Sequence, residues 1–231
     1  DALFVLSADG RGRRLDGGDG SIAWSHELDG TAAAGPVLHG DELLVALNDG
    51  RVAVLEADSG TATHYSVFEE TPASAPVVTE RRIYLAGLEG TLIAWDRESR
   101  SPTWRTRLSA PAVGAVALNE GRLYLALGDG YVVSINAADG EQRWRVSPGL
   151  QPSCGVAVGR DTLLVPGAEG VLRALALDDG RTLWTYRSGA ALYQPPAVTE
   201  DMIVLAAENG ELHLLSDGTL ERRLFLGEAP A

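Results

Sequence analysis

Apolar residues in this chain are bunched into short continuous runs, with none of the three-to-four-residue spacing of an amphipathic helix. Glu42-Leu-Leu-Val-Ala-Leu47 reaches Asn48-Asp-Gly50, and Arg51-Val-Ala-Val-Leu-Glu-Ala57 reaches Asp58-Ser-Gly60. Asp-Gly and Asn-Gly pairs accept the positive φ of tight turns, so runs of this kind predict β-hairpins. Equivalent runs open at Leu3, Ile83, Leu123, Leu163 and Ile203. Because they are apolar at nearly every position, they predict strands covered on both faces. Small-residue segments precede them, Gly35-Pro-Val-Leu38, Ala75-Pro-Val-Val78, Gly114-Ala-Val-Ala117, Gly155-Val-Ala-Val158 and Pro195-Pro-Ala-Val198. These fit an innermost strand, where sheets converge and large side chains collide. Each unit is thus predicted to hold four strands.

The units repeat in register. Gly10, Gly50, Gly90, Gly130, Gly170 and Gly210 lie forty residues apart, and Trp24, Trp104, Trp144 and Trp184 share a phase. A period near forty is that of a propeller or solenoid, whose units bury their faces only by stacking. The prediction is an all-β, six-bladed β-propeller of four-stranded antiparallel blades. It forms one domain over 1–231, with blades at about 1–30, 31–70, 71–110, 111–150, 151–190 and 191–231. Asp1 enters at a second strand, so the first blade lacks its innermost strand, and the next such strand falls due beyond Ala231. A trimmed piece of a longer chain, a ring with one short blade and an open arc all fit.

Composition narrows the chemistry. The net charge is −13, and all 19 basic residues are Arg. Without Lys there is no Schiff base and no phosphate-loop lysine. An acidic surface argues against nucleic acid, whose binding rests on neutralised phosphates, and against anionic membrane surfaces. No apolar run reaches the length of a membrane span, so direct membrane insertion is not expected. One cysteine, Cys154, excludes an intrachain disulfide and reads as a packed small residue. The histidines His26, His39, His64 and His213 lack ligand spacing, and no Gly-x-Ser-x-Gly elbow occurs. No catalytic or metal-binding residue is assigned.

Ala137-Ala-Asp-Gly-Glu-Gln-Arg-Trp144 and Leu177-Asp-Asp-Gly-Arg-Thr-Leu-Trp184 resemble the PQQ-like (pyrroloquinoline-quinone-type) propeller repeat, and the segment ending in Trp24 matches more loosely. The resemblance implies that Trp24, Trp104, Trp144 and Trp184 dock against the neighbouring blade, the turn glycine letting the chain pass beneath the ring. Three blades depart from it. His64-Tyr65 replaces Trp in the second, Arg100 replaces the turn glycine in the third, and the sixth shortens its turn to Asp217-Gly218 without a Trp. Trp95 is left without a place in the pattern.

Within the resembled family, dehydrogenases bind the quinone PQQ with calcium above a pair of adjacent cysteines. BamB-type scaffold lipoproteins and receptor-appended propellers bind partners instead. A single cysteine rules out the adjacent pair, so the expected role is a non-catalytic module of a larger bacterial protein, with no cofactor. It would bind a protein, a peptide or a small polar ligand, and the resemblance leans toward an extracytoplasmic setting. The alternative is a PQQ-dependent dehydrogenase or its remnant. Oligomeric state is left open.

Two sets of residues are candidates for binding. Asp49, Glu89, Asp129 and Glu169, with Asp9 and Asn209, precede the turn glycines and would line one face, focusing negative potential for a cationic ligand. Turn geometry alone also explains Asp and Asn there. The inter-blade connections offer Gln151, Ser153, Tyr193 and Gln194, neutral hydrogen-bonding groups beside an aromatic ring. Ordinary loop packing is the competing account. The open edge of the first blade would also invite strand addition by a partner.

Overall fold

The computed structural model describes residues 2–7 and 10–226. Strands β1 (Ala2–Leu6), β2 (Arg11–Asp16) and β3 (Ile22–Glu27) form a three-stranded sheet. The second sheet holds β4 (Val37–His39), β5 (Glu42–Ala46), β6 (Arg51–Glu56) and β7 (Ala62–Val67). Next come β8 (Val77–Val78), β9 (Arg82–Ala86), β10 (Thr91–Asp96) and β11 (Ser101–Arg107). The fourth has β12 (Ala117–Asn119), β13 (Arg122–Ala126), β14 (Val132–Asn136) and β15 (Gln142–Val146). The fifth has β16 (Ala157–Val158), β17 (Thr162–Pro166), β18 (Val171–Ala176) and β19 (Thr182–Arg187). The sixth has β20 (Ala197–Val198), β21 (Ile203–Ala206), β22 (Glu211–Ser216) and β23 (Thr219–Phe225). Every sheet is an antiparallel meander, and no helix occurs among the described residues.

Contacts gather these sheets into two compact units, Asp1–Pro111 and Ala112–Ala231, three sheets in each. The two middle strands of the second to fifth sheets are buried almost throughout. Leu44, Val45, Ala46, Leu47, Val52 and Ala53 are wholly inaccessible. Face-to-face stacking explains this, since the faces of neighbouring blades interlock. Within the first unit, Leu44 and Val54 pack with Ile83, Ile93 and Trp95. Within the second, Tyr124 and Trp144 pack with Leu163, Val171 and Leu175. In β1, by contrast, Leu3 is 57% exposed.

The innermost strands are shorter than their small-residue segments suggest. Pro supplies no N–H, and β4, β8 and β20 start directly after Pro36, Pro76 and Pro196, while β12 and β16 start as late without one; single bridges such as Ala32↔Leu47 and Pro152↔Gly167 stand before the ladders. The small residues serve close approach: a Cβ at Gly155 would lie 2.7 Å from Ala115 N.

One irregularity recurs in every sheet. The third and outermost strands pair with one extra outer residue, between Arg14/Leu15, Val54/Leu55, Ala94/Trp95, Ser134/Ile135, Ala174/Leu175 and Leu214/Leu215. These are β-bulges, which locally bend a strand and re-aim a side chain.

Candidate functional site

The bulges fix how neighbouring blades seat on each other. The extra residue stands immediately before the docking position, as Ala23 before Trp24, Arg143 before Trp144 and Leu183 before Trp184. Each indole so presented meets a turn of the following blade. Trp24 Nε1 donates to Ala57 O at 2.9 Å, and Trp144 Nε1 donates to Leu177 O at 3.0 Å. The turn glycine lies flat under the ring. A Cβ at Gly60 would stand 2.5 Å from Trp24, one at Gly180 3.0 Å from Trp144, and one at Gly218 2.6 Å from Trp184. These glycines also hold φ near +70°, a region costly for other residues. Trp24 and Trp144 lean on Phe4 and Tyr124 of their own blades at 6.1 and 5.9 Å, and Trp104 is 6.0 Å from Tyr84.

The seat between the second and third blades, both in the first unit, is built differently. His64 follows the bulge residue Thr63, and the turn it faces is Arg97-Glu98-Ser99-Arg100. Arg100 keeps the left-handed backbone of the glycine it replaces, at φ 52°. Its Cβ would collide with an indole seated as Trp24 is, so the loss of Trp and the loss of Gly belong together. A cleft of about 390 Å³ opens here, lined by His64, Ser66, Val54, Ile83 and Trp95, with charged groups around them. Arg97 pairs with Glu42 across the junction, and its guanidinium also donates to Thr79 O at 2.8 Å.

Inside the cleft several polar groups have no partner among the described residues. The indole N–H of Trp95 is buried without an acceptor, the ring packing 5.1 Å from Phe68. The Ser66 hydroxyl, on a residue 4% exposed, lines the same cleft. Arg97 O, which corresponds to Ala57 O and Leu177 O, receives no hydrogen bond. Thr63 Oγ1 donates to Val54 O at 2.9 Å, so its 3.2 Å contact to His64 Nδ1 is accepted, leaving His64 Nε2 as a lone-pair acceptor. Burial, and then the Arg100 charge, hold the His64 pKa below its usual value, which keeps that lone pair free.

The residues before the turn glycines behave as turn formers where the side chain is a short Asp or Asn. Asp49 accepts from Arg51 N at 3.1 Å, Asp129 from Tyr131 N at 3.3 Å, and Asn209 from Glu211 N at 3.2 Å. Both aspartates are also neutralised. Asp49 pairs with Arg51 at 2.7 Å, which lowers its pKa, and Asp129 pairs with Arg145 at 3.0 Å. Glu89 and Glu169 are exposed at the matching turns. The Glu70 side chain, which had no signal in the sequence, reaches into the Glu89 turn and accepts from Glu89 N and Thr91 N at 3.3 Å. Asp9 lies outside the described residues.

In the second unit, the connections bring Ser153 against the Leu192 carbonyl beside Tyr193 and Gln194. The Ser153 hydroxyl is turned inward, also approaching Pro166 O at 3.2 Å, and serves as a tie between loops. Tyr193 is 50% exposed, Gln194 next to it is exposed, and Gln151 is exposed on the separate connection that carries Ser153. Gln151 reaches Gly128 O at 3.4 Å, next to Asp129. Cys154 is buried, and burial pushes its thiol pKa up, which makes it an unreactive packing residue. The donor set does not suit PQQ bound over adjacent cysteines, because the chain has only this one. No three His, Cys, Asp or Glu side chains gather as a metal set among the described residues.

Antiparallel four-stranded blades seated by indoles on glycine turns define an all-β protein of the β-propeller class, six-bladed, with a three-stranded first blade. The chain belongs to the family described as outer membrane protein assembly factor BamB, whose model matches residues 1–75, 64–153 and 128–223. Among solved structures it is similar to BamB from Moraxella catarrhalis. The two are 21% identical, with a TM-score of 0.78, and the match covers 96% of this chain and 70% of that one. It is also similar to the computationally designed Ika8 protein, at 14% identity and a TM-score of 0.82, covering 96% and 71% of the two chains. At these identities the likeness is one of fold. No curated protein matches the sequence.

Proposed function

We propose that this protein is a non-catalytic binding module, a scaffold or sensor part of a larger bacterial protein acting outside the cytoplasm, whose partner is a protein or peptide. Membership of a family described as an outer-membrane assembly factor supports a protein partner and an envelope setting. The observation that carries the reading is the rim of the second unit. Exposed Tyr193, Gln151 and Gln194 stand on loops tied down by Ser153, so an amphipathic ring and two amides are offered on a fixed frame. Such groups bind extended chains at small entropic cost.

Pull-down from an envelope extract with the wild type and with Tyr193→Ala plus Gln194→Ala tests this reading. Partner recovery should fall at least about tenfold, since a central aromatic contact contributes on the order of 2 kcal/mol. Equal recovery with a correctly folded variant would remove the rim from the mechanism. We assign no cofactor. Titration with PQQ and calcium, followed by absorbance and dye-linked alcohol oxidation, checks that assignment, and stoichiometric uptake with turnover would overturn it.

A further inference from the structure

The cleft between the second and third blades is a second site, on a different unit from the rim. We propose that it receives an aromatic side chain bearing a ring N–H or O–H, an indole or a phenol, presented by a partner protein. The occupant is identified from the molecule itself. At this position the other seats described within the units hold an indole, and those of Trp24 and Trp144 each donate to the first carbonyl of the following turn. Here the carbonyl, Arg97 O, is present without its donor.

The other features agree with an external ring. Val54 and Ile83 supply apolar walls, and about 390 Å³ lies within the range of small-ligand pockets. His64 Nε2 is a second acceptor for a ring N–H or O–H. The Trp95 N–H, buried and unpartnered, and the Ser66 hydroxyl that lines the cleft are donors that a phenol oxygen can satisfy. Arg100 blocks the close face contact made by glycine. In exchange it offers a guanidinium with no ion pair among the described residues, able to lie over a ring from the solvent side. Glu80 and Glu98 stand at the same mouth as Arg100, so charges of both signs flank the cleft.

The test uses small probes on the whole chain: N-acetyl amides of tryptophan, tyrosine, phenylalanine and leucine. Binding is read from the Trp95 indole ¹H–¹⁵N resonance, assigned with Trp95→Phe, and from calorimetry. The tryptophan and tyrosine amides should shift that resonance and bind at least about tenfold more tightly than the phenylalanine amide, the worth of one hydrogen bond. The leucine amide should give no shift. His64→Trp combined with Arg100→Gly rebuilds the internal seat, so it should abolish binding while the protein stays folded. Equal binding of all four amides, no shift with any of them, or binding untouched by the double variant would overturn the proposal. Because no extract or rim residue is involved, failure here leaves the rim reading standing, and failure of the rim leaves this one standing.

Discussion

The seat between the fourth and fifth blades and the seat between the second and third are the same device in two states. In the former, Trp144 lies 9% exposed over Gly180, and Trp144 Nε1 and Tyr124 Oη both donate to Leu177 O, at 3.0 and 3.3 Å. In the latter, Leu44, His64 and Arg100 stand at those three places, and the matching carbonyl is bare. The ion pair across the junction survives with its signs exchanged: Arg122 to Asp178 at 2.6 Å in one, Glu42 to Arg97 in the other. Blade contact therefore does not depend on the indole alone. Apolar faces and one cross-junction pair suffice to hold blades together, which frees a seat to become a cleft.

The largest effect that would sharpen this contrast is on stability. Trp144→Ala should cost about 3–5 kcal/mol, as truncation of a buried Trp does, whereas His64→Ala should cost less than about 1 kcal/mol. Urea unfolding at constant m-value measures both, and equal losses would break the comparison. A smaller effect is expected from coupling. His64→Trp alone should destabilise by crowding Arg100, but in an Arg100→Gly background it should stabilise, with an interaction energy of about 0.5–3 kcal/mol in a double-mutant cycle. Additive behaviour would mean that the two departures are unrelated.

The smallest effect is a pH dependence. Because burial and Arg100 lower the His64 pKa in the folded state, the unfolded chain binds this proton more readily. Stability should fall as pH drops below about 6.5 and level off once the folded form is protonated as well. Glu42 and Glu80, Glu98, Arg97 and Arg100 all line the same cleft, so the slope to compare is that of the wild type against His64→Gln. An unchanged slope would show that His64 does not titrate in the cleft.

The forty-residue register made the strands, the blade count and the indole phase legible, because each is a local pattern repeated many times. His64 and Arg100 were visible singly as departures. Their link was not, since they lie on different blades and meet only through stacking. Trp95 had no place in the repeat because its role is set by Phe68 and by the indole missing from the previous blade. Ser153 looked like a free hydroxyl in the sequence, yet the loop directs it onto Pro166 and Leu192 carbonyls. Side-chain direction in irregular loops is decided by backbone turns that residue types alone do not specify. The same holds for Glu70, whose capping of the next turn depends on a contact between blades.

The recurring bulge has a consequence beyond aiming indoles. Six similar sheets in one chain would otherwise show six straight outer borders of unsatisfied backbone groups, a template for sideways zippering between copies. Putting each outermost strand one residue out of step twists that border, so an incoming flat strand can match it only for a short length. The feature that orients blades inward thus also guards the molecule against fibril-like self-assembly.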